Sequence, residues 1–206
     1  NVSVPLIGNL DAQAEHSYTY EVGLKYNDDR LRLQLIEYWT DFDSILARES
    51  IGGSDFLTNQ TAYLNGTELS GEYMLYRNLS LYGNFAYTYG QLTTTDEPIS
   101  RIPPTQGILG MRLTVPQPRA YFDVYTWMVR RADRYNDVNL SDVRFIPGGT
   151  PGYATLNVRT GRSFGEANQH QVSLSLENIT DKYYRVLGSG VDGTGFNAVF
   201  GYQYAM

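Results

Sequence analysis

The chain ends in GFNAVFGYQYAM, residues 195–206, and this stretch alternates between two kinds of side chain. Mostly large apolar groups occupy the even positions, and smaller or polar groups occupy the odd ones. The even set is Phe196, Ala198, Phe200, Tyr202, Tyr204 and Met206. A period of two predicts a β-strand. Because a long apolar strand at an open edge promotes aggregation in water, the pattern favours a closed edge and an apolar face that meets something other than water.

The composition fits an all-β membrane protein. Charged residues make up 18% of the 206 residues, below the ~25% usual for soluble domains, and 18 residues are tyrosines. Mean hydropathy is −0.36, and no run approaches the ~18 apolar residues of a membrane helix. These values are typical of a transmembrane β-barrel, in which alternation dilutes the apolar residues. A soluble β-sandwich is the alternative.

Charge and cysteine content exclude several classes of function. The net charge of −6 argues against nucleic acid or an anionic surface as the main partner. The sequence has no cysteine, so it can form neither a disulfide framework nor a thiolate metal site. Residues 1–17 lack a charged segment followed by an apolar one, and we therefore expect no signal peptide in this chain.

About nine strand-like runs follow one another along the chain. They start near His16, Arg30, Thr61, Leu79, Thr105, Ala120, Tyr153, His170 and Phe196. The apolar set shifts after Leu35 to Ile36, Tyr38 and Phe42, which predicts a bulge. Connections alternate between short turns and long polar links, the first long link covering residues 40–60. Short periplasmic turns and long external loops are the barrel pattern, so the barrel is favoured over the sandwich.

The same alternation predicts orientation. If the short turns are periplasmic, Met206 ends in the periplasm and Asn1 lies outside. An odd number of strands does not close a bacterial single-chain barrel. We therefore expect residues 1–206 to be the C-terminal part of a larger barrel, completed by upstream or partner strands.

Several segments together resemble the end of TonB-dependent outer-membrane receptors. They are GNLDAQAEHSYTYEVGLKYNDDRLRLQL (8–35), AYLNGTELSGEYMLYRNLSLYGNFAYTYG (62–90), ISRIPPTQGILGMRL (99–113), LENITDKYY (176–184) and GSGVDGTGFNAVFGYQY (188–204). The resemblance implies the last strands of a 22-stranded barrel in the outer membrane of a Gram-negative bacterium. It implies import of a scarce nutrient, most often a ferric siderophore, and no enzymatic activity or cofactor.

The resemblance also implies partners. These are the TonB–ExbB–ExbD energy-coupling system, acting through a plug domain that this chain lacks, and the lipid and lipopolysaccharide of the outer membrane. The barrel assembly machinery would read a C-terminal signal, for which Gly201 and Tyr204 fit, whereas Met206 stands where the family usually ends on an aromatic residue. Two other hypotheses remain open: a structural segment that completes a larger barrel, and a passive pore.

Candidate site residues fall into two groups. Tyr135 and Arg144, on the longest loop, are predicted to contact ligand, and Arg101 is predicted to belong to the barrel rim. Aromatic residues near strand ends are predicted to lie at the membrane interface. This second group is Tyr38, Trp39, Tyr87, Tyr89, Tyr183 and Tyr184.

Catalytic and metal chemistry find little support. Glu68 and Glu72 would lie about 13 Å apart on one strand, too far for a shared glycosidase mechanism. We expect them to face a polar lumen, paired with Arg112 or Arg159. With two histidines, His16 and His170, and no thiol, no zinc or iron site is predicted.

Overall fold

The computed structural model describes residues 6–51 and 54–205, and most of its regular structure is β-strand. The strands are β1 (Leu6–Ile7), β2 (His16–Asn27), β3 (Leu31–Ile51), β4 (Ser54–Tyr76), β5 (Leu79–Leu92), β6 (Gln106–Val115), β7 (Ala120–Val129), β8 (Tyr153–Phe164), β9 (His170–Glu177) and β10 (Asn197–Tyr204). Within the described residues one short helix, α1 (Asp137–Ser141), lies between β7 and β8. The predicted all-β class with about nine main strands is confirmed.

The nine long strands form one antiparallel sheet in chain order, from β2 to β10. Each strand therefore pairs with its neighbours in sequence, as in an up-and-down meander. The two-residue β1 pairs in parallel with β4, opposite Asp55 and Phe56. This order leaves β2 and β10 as the two edges of the sheet in this chain.

The two faces of the sheet differ in chemistry, as the alternation predicts. One face, here called the apolar face, carries large side chains that are well exposed in the isolated chain. Examples from β2, β4, β6 and β10 are Val22, Leu24, Leu69, Leu109, Met111, Phe200 and Tyr202. The opposite face, here called the polar face, carries cross-strand ion pairs. An outward apolar face and a polar interior are the arrangement of a transmembrane barrel.

Three ion pairs cross the polar face, with partners that differ from those predicted. Glu72 lies 3.9 Å from Arg32, Arg112 lies 2.7 Å from Asp123, and Arg159 lies 4.0 Å from Glu177. The predicted face for Glu72 is therefore right, but the predicted pairing with Arg112 or Arg159 is wrong. Each arginine meets an acid on a strand next to its own, directly opposite for Arg32 and Arg112 and diagonal for Arg159, because such neighbours are within reach across a sheet.

The first long connection is a strand pair rather than a loop, which corrects the prediction for residues 40–60. β3 and β4 stay paired up to Ile51 and Ser54. The pairing of β4 with β5 stops at Ala62 and Leu92. At 3.3–3.4 Å per residue, the β3–β4 hairpin therefore extends beyond β5 by roughly 27 Å. Its apolar residues, such as Ile45, Leu46, Phe56 and Leu57, lie next to one another in the sequence and do not alternate with polar ones, so the sequence does not show a strand pattern there.

The bulge also lies elsewhere than predicted. The β2–β3 register runs without a break through Leu35 and Ile36, and the irregularity falls between Phe42 and Ile45. Ile36, Tyr38 and Phe42 all lie on the polar face of β3. The shift in apolar positions therefore reflects apolar side chains on that face and not a bulge.

The buried apolar residues gather at the long-loop end of the sheet. Ala62 and Leu92 are directly paired there. Phe145 in the longest loop and Tyr153 at the start of β8 are also buried. At the opposite end the strands are joined by short turns, as predicted. In one of them the Asp28 carboxylate accepts the N–H groups of Arg30 and Leu31 at 2.7 Å each.

The final strand agrees with its predicted pattern. β10 pairs with β9 from Asn197↔Glu177 to Tyr204↔His170, and Tyr204 packs 5.1 Å from the His170 ring. Gly201 lies opposite Ser173, whose Oγ would be 2.6 Å from an added Cβ, so a side chain would clash there. Asn1 and Met206 lie outside the described residues.

Candidate ligand-binding site

The β3–β4 extension is fixed by the segment that precedes β2. Asn59 exchanges two hydrogen bonds with the backbone of Gln13, at 2.8 and 3.0 Å, and also donates to Ser44. A carboxylate oxygen of Glu15 accepts the backbone N–H of Leu46 at 2.8 Å. These contacts fix the position of the β3–β4 extension, which forms one wall of a cavity.

The opposite wall is built by two long loops, here called loop A (residues 93–105) and loop B (residues 130–152). Loop B contains α1, which begins with a reciprocal cap. The Asn136 side chain accepts the N–H of Asn139 at 2.9 Å, and the Asn139 side chain accepts the N–H of Asn136. Such a capping pair satisfies donors that a helix start would otherwise leave unpaired.

The same two asparagines join the loops. The Asn136 amide donates to the carbonyl of Pro98, and the Asn139 amide donates to Ser100 Oγ at 2.6 Å. Both asparagine side chains are buried. Loop A and loop B therefore form one ordered layer above the ends of β5 to β8.

Asp142 forms a second junction between the loops. Its carboxylate accepts from Arg144 Nη2 at 2.5 Å and from Arg101 Nη2 at 3.3 Å. The hydrogen bonds from Arg144, with that from Arg101, lower the pKa of Asp142 to about 2, although burial opposes the shift. Arg101 has a φ of +63°, a conformation that is uncommon for a residue other than glycine.

Between the extension and the loops lies a cavity of about 750 Å³. This volume is within the ~300–1,000 Å³ of small-molecule sites. Apolar side chains line part of it, among them Ile45, Leu46, Leu92, Ile99, Val138 and Val143. The charged lining consists of Arg48, Arg101, Arg144, Glu15, Asp55 and Asp142, which gives three positive and three negative groups.

The two predicted ligand residues have different positions. Arg144 lines the cavity, with its guanidinium held by Asp142. The Tyr135 hydroxyl instead contacts Thr150 Oγ1 and accepts the Thr150 N–H, both at 2.8 Å, and its ring packs edge-on against Phe145 at 5.2 Å. Tyr135 thus shapes loop B from inside and is not on the wall of this cavity, and its contact with ligand stays a prediction.

Arg48 and Asp55 are not predicted from the sequence to be site residues, and Arg101 is predicted only to belong to the barrel rim. Arg48 and Asp55 lie in the β3–β4 extension, which the sequence predicts to be a long polar link. Arg101 lines the cavity, and its role at the barrel rim stays a prediction. The Asn-x-x-Asn spacing of residues 136 and 139 was the available signal for α1.

The predicted interface aromatics divide between the two faces. Trp39, Tyr87 and Tyr89 lie on the apolar face, near the loop end of the sheet. Trp39 stacks on Tyr63 at 5.1 Å, Tyr63 stacks on Tyr89 at 6.0 Å, and the Arg134 guanidinium lies 3.8 Å from the Tyr89 ring centre. Amphipathic rings in a row at strand ends suit a membrane–water boundary.

Tyr38 and Tyr184 are on the polar side of the sheet, and their place at the membrane interface stays a prediction. The Tyr38 hydroxyl contacts Thr88 Oγ1 at 2.8 Å. Tyr184 packs 4.5 Å from Tyr153 and 6.2 Å from Trp127. Adjacent residues of a strand point to opposite faces, so Tyr38 and Trp39 cannot both meet lipid. Tyr183 is exposed on the loop that follows β9.

Neither a metal cluster nor a helical membrane span is found in the described part of the chain. No group of three or more His, Cys, Asp or Glu side chains could hold a metal ion there. No helix there is long and apolar enough to cross a membrane.

Comparison with known proteins identifies the family. The family model for the β-barrel of TonB-dependent receptor-like proteins matches residues 1–179. The copper transporter OprC is 17% identical with a TM-score of 0.80, and the match covers 96% of this chain and 33% of OprC. The FrpB iron transporter from Neisseria meningitidis is 16% identical with a TM-score of 0.76, over 97% of this chain and 32% of FrpB.

A third solved structure, the ferric yersiniabactin uptake receptor FyuA from Yersinia pestis, is 17% identical with a TM-score of 0.64, over 91% of this chain and 28% of FyuA. The chain thus spans about a third of the length of the structures it matches. No curated protein matches it. The ordered strands, their two faces and the family match over 179 residues lead to one conclusion: the chain belongs to the TonB-dependent receptor family, whose members are transporters and not enzymes.

Proposed function

We propose that this chain is the C-terminal part of the barrel of a receptor that imports a scarce nutrient across the outer membrane of a Gram-negative bacterium. The nutrient is a ferric siderophore or a similar metal chelate. The observation that carries the proposal is the family match over residues 1–179. The cavity between the β3–β4 extension and loops A and B supports it, since it opens at the end of the sheet where the family binds its ligands.

Residues 1–206 form the last strands of the barrel in this proposal, and upstream strands pair with the edges at β2 and β10. The plug domain lies elsewhere in the receptor and receives energy from TonB–ExbB–ExbD. The apolar face contacts membrane lipid, and the Trp39–Tyr63–Tyr89 row contacts the lipopolysaccharide leaflet. Gly201, Tyr204 and Met206 belong to the signal read by the barrel assembly machinery.

The cavity suits capture of a chelate that has both polar and apolar parts. Three arginines and three carboxylates balance, so net charge alone does not select the ligand. Arg48 offers a half-exposed guanidinium to oxygen ligands, while Ile45 and Ile99 supply apolar contact. Arg144 remains a proposed contact. No bond is made or broken in the cargo, because the work is binding followed by TonB-driven release.

Uptake in whole cells tests this proposal. Cells that produce the full-length receptor are given ⁵⁵Fe-labelled siderophores, with and without a functional TonB protein. We expect accumulation above that of receptor-deficient cells only when TonB is present. Uptake that is equal without TonB, together with conductance in planar bilayers, would instead indicate a passive pore. A native polypeptide of 23.3 kDa without any uptake would indicate a structural segment.

A further inference from the structure

Asp55 has an unusual environment among the carboxylates of the cavity. It lies near the outer end of β4, opposite Ser50 of β3 and Leu6 of β1. Pairing on both sides fixes its backbone. The residue is 5% exposed and lines the cavity wall.

The two oxygens of Asp55 are poorly satisfied by the described part of the protein. Oδ2 lies 3.9 Å from Arg48 Nη1, which is beyond hydrogen-bonding distance. Oδ1 is buried and has no hydrogen-bond partner among the described residues. The other two carboxylates of the lining differ, because Asp142 is held by two arginines and Glu15 by the Leu46 N–H.

An unpaired buried carboxylate oxygen destabilises the empty protein, because water is removed from it without compensation. A ligand donor placed at Oδ1 would remove that penalty. A positively charged donor would form the strongest hydrogen bond with Oδ1, since charge-assisted hydrogen bonds are roughly twice as strong as neutral ones.

A bare metal ion is a poor candidate for this position. The described residues offer no cluster of three acidic or histidine ligands around it. The cavity of about 750 Å³ has room for an organic molecule, and Leu92 and Ile99 give it apolar walls. The complementary group is therefore an ammonium carried on an organic ligand.

We propose that Asp55 is a specificity-determining residue, which accepts a hydrogen bond from an ammonium group of the imported chelate. This inference rests on the proposed import function and narrows its substrate class to chelates with a free amine. A chelate whose amine has been neutralised would lose the contact and leave Asp55 unpaired.

A matched pair of probes tests the inference with the purified full-length receptor in detergent. Ferrioxamine B is a trihydroxamate iron chelate with a free ammonium, and its N-acetylated form lacks that charge. We expect the wild-type receptor to bind ferrioxamine B about 10- to 100-fold more tightly than the acetylated form. Asp55→Asn should abolish the preference. Asp192→Asn, which removes a carboxylate that does not line the cavity, should retain it.

Equal binding of the two chelates by the wild type, or a preference that survives Asp55→Asn, would overturn the role of Asp55. If neither chelate binds, the receptor does not take this hydroxamate chelate as cargo, and thermal stability then decides the separate question about Asp55. If Asp55 serves to bind ligand, it does not stabilise the ligand-free protein. The Asp55→Asn variant without ligand should then have a melting temperature equal to or above that of the wild type. A lower melting temperature would mean that Asp55 is a structural residue, which also overturns the inference.

Discussion

Arg101 donates a hydrogen bond of 3.3 Å to Asp142, and this contact joins loop A to loop B beside the cavity. The two residues are 41 positions apart in sequence. Because Arg144 binds the same carboxylate, two guanidinium groups converge on one acid. The arrangement fixes both arginines at the cavity wall before any ligand arrives.

Substitution of Asp142 by Asn should loosen both loops. The neutral amide cannot hold two guanidinium groups, so residues 93–105 and 130–152 should exchange their amide hydrogens faster, and ligand affinity should fall about 10-fold. Hydrogen–deuterium exchange of the full receptor measures the first effect. Asp192→Asn is the control, because it breaks a similar contact with Arg185 at 2.7 Å on another loop. Unchanged exchange in loops A and B would contradict the role given to Asp142.

The same carboxylate predicts a pH dependence. Its folded pKa is about 2, below the ~3.9 of a free Asp, so ionised Asp142 stabilises the folded loops above pH ~4. That contribution is lost as pH falls from about 4 toward 2. Between pH 5 and 8, exchange protection of loops A and B, corrected for the intrinsic rate, should not change on account of Asp142. A loss of protection centred near pH 6 that Asp142→Asn abolishes would refute this assignment.

On the polar face, Asp123 should contribute strongly to stability. It is 1% exposed and accepts from Tyr82 Oη at 2.8 Å and Arg112 Nη2 at 2.7 Å. Asp123→Asn should lower the free energy of unfolding by about 1–3 kcal/mol, because a strong acceptor of two donors is lost. Denaturant unfolding in detergent measures this, with the exposed turn substitution Asp29→Asn as control. Equal stability of the two variants would show that the network is dispensable.

The segments differ in how well their structure can be predicted from the sequence, and the difference depends on what each segment faces. The hairpin of β6 and β7 was predicted to within a residue, since lipid on one side enforces alternation and the PQPR turn of residues 116–119 interrupts it. The β3–β4 extension is not predicted, because its apolar residues, such as Ile45 and Leu46, do not alternate regularly with polar ones. Asp55 was missed for a further reason: its burial depends on β1 and β3, which contact it only in the folded chain.

Side-chain direction was also only partly predictable. Tyr38 and Trp39 are both aromatic and near a strand end, but adjacent residues of a strand point to opposite faces. The position of Tyr38 is explained by Gly66, directly opposite on β4. A Cβ there would lie 2.3 Å from the Tyr38 hydroxyl oxygen, so the glycine makes room for the ring. No local sequence signal links residues 38 and 66.

This relationship predicts a difference between two glycines of the sheet. Gly66→Ala should destabilise the protein by about 1–3 kcal/mol, since its Cβ would also lie 2.5 Å from the Tyr87 carbonyl oxygen. Gly23→Ala on β2 should be tolerated, because its nearest neighbour would be 3.6 Å away. Denaturant unfolding of both variants gives the comparison. A Gly23 variant as unstable as the Gly66 variant would contradict the packing explanation.

In the proposed import, cargo binds in the cavity beside α1, and two substitutions on that helix test this binding. Val138 lines the cavity, whereas Leu140 is 64% exposed and is not part of the lining. The measurement is the initial rate of TonB-dependent ⁵⁵Fe-siderophore uptake by cells with equal surface levels of each full-length variant. We predict that Val138→Trp, which places a larger side chain in the cavity, lowers the rate at least about 10-fold, as expected when ligand contacts are lost, and that Leu140→Trp leaves it unchanged. A Val138→Trp receptor that transports at the wild-type rate would contradict binding of cargo in this cavity.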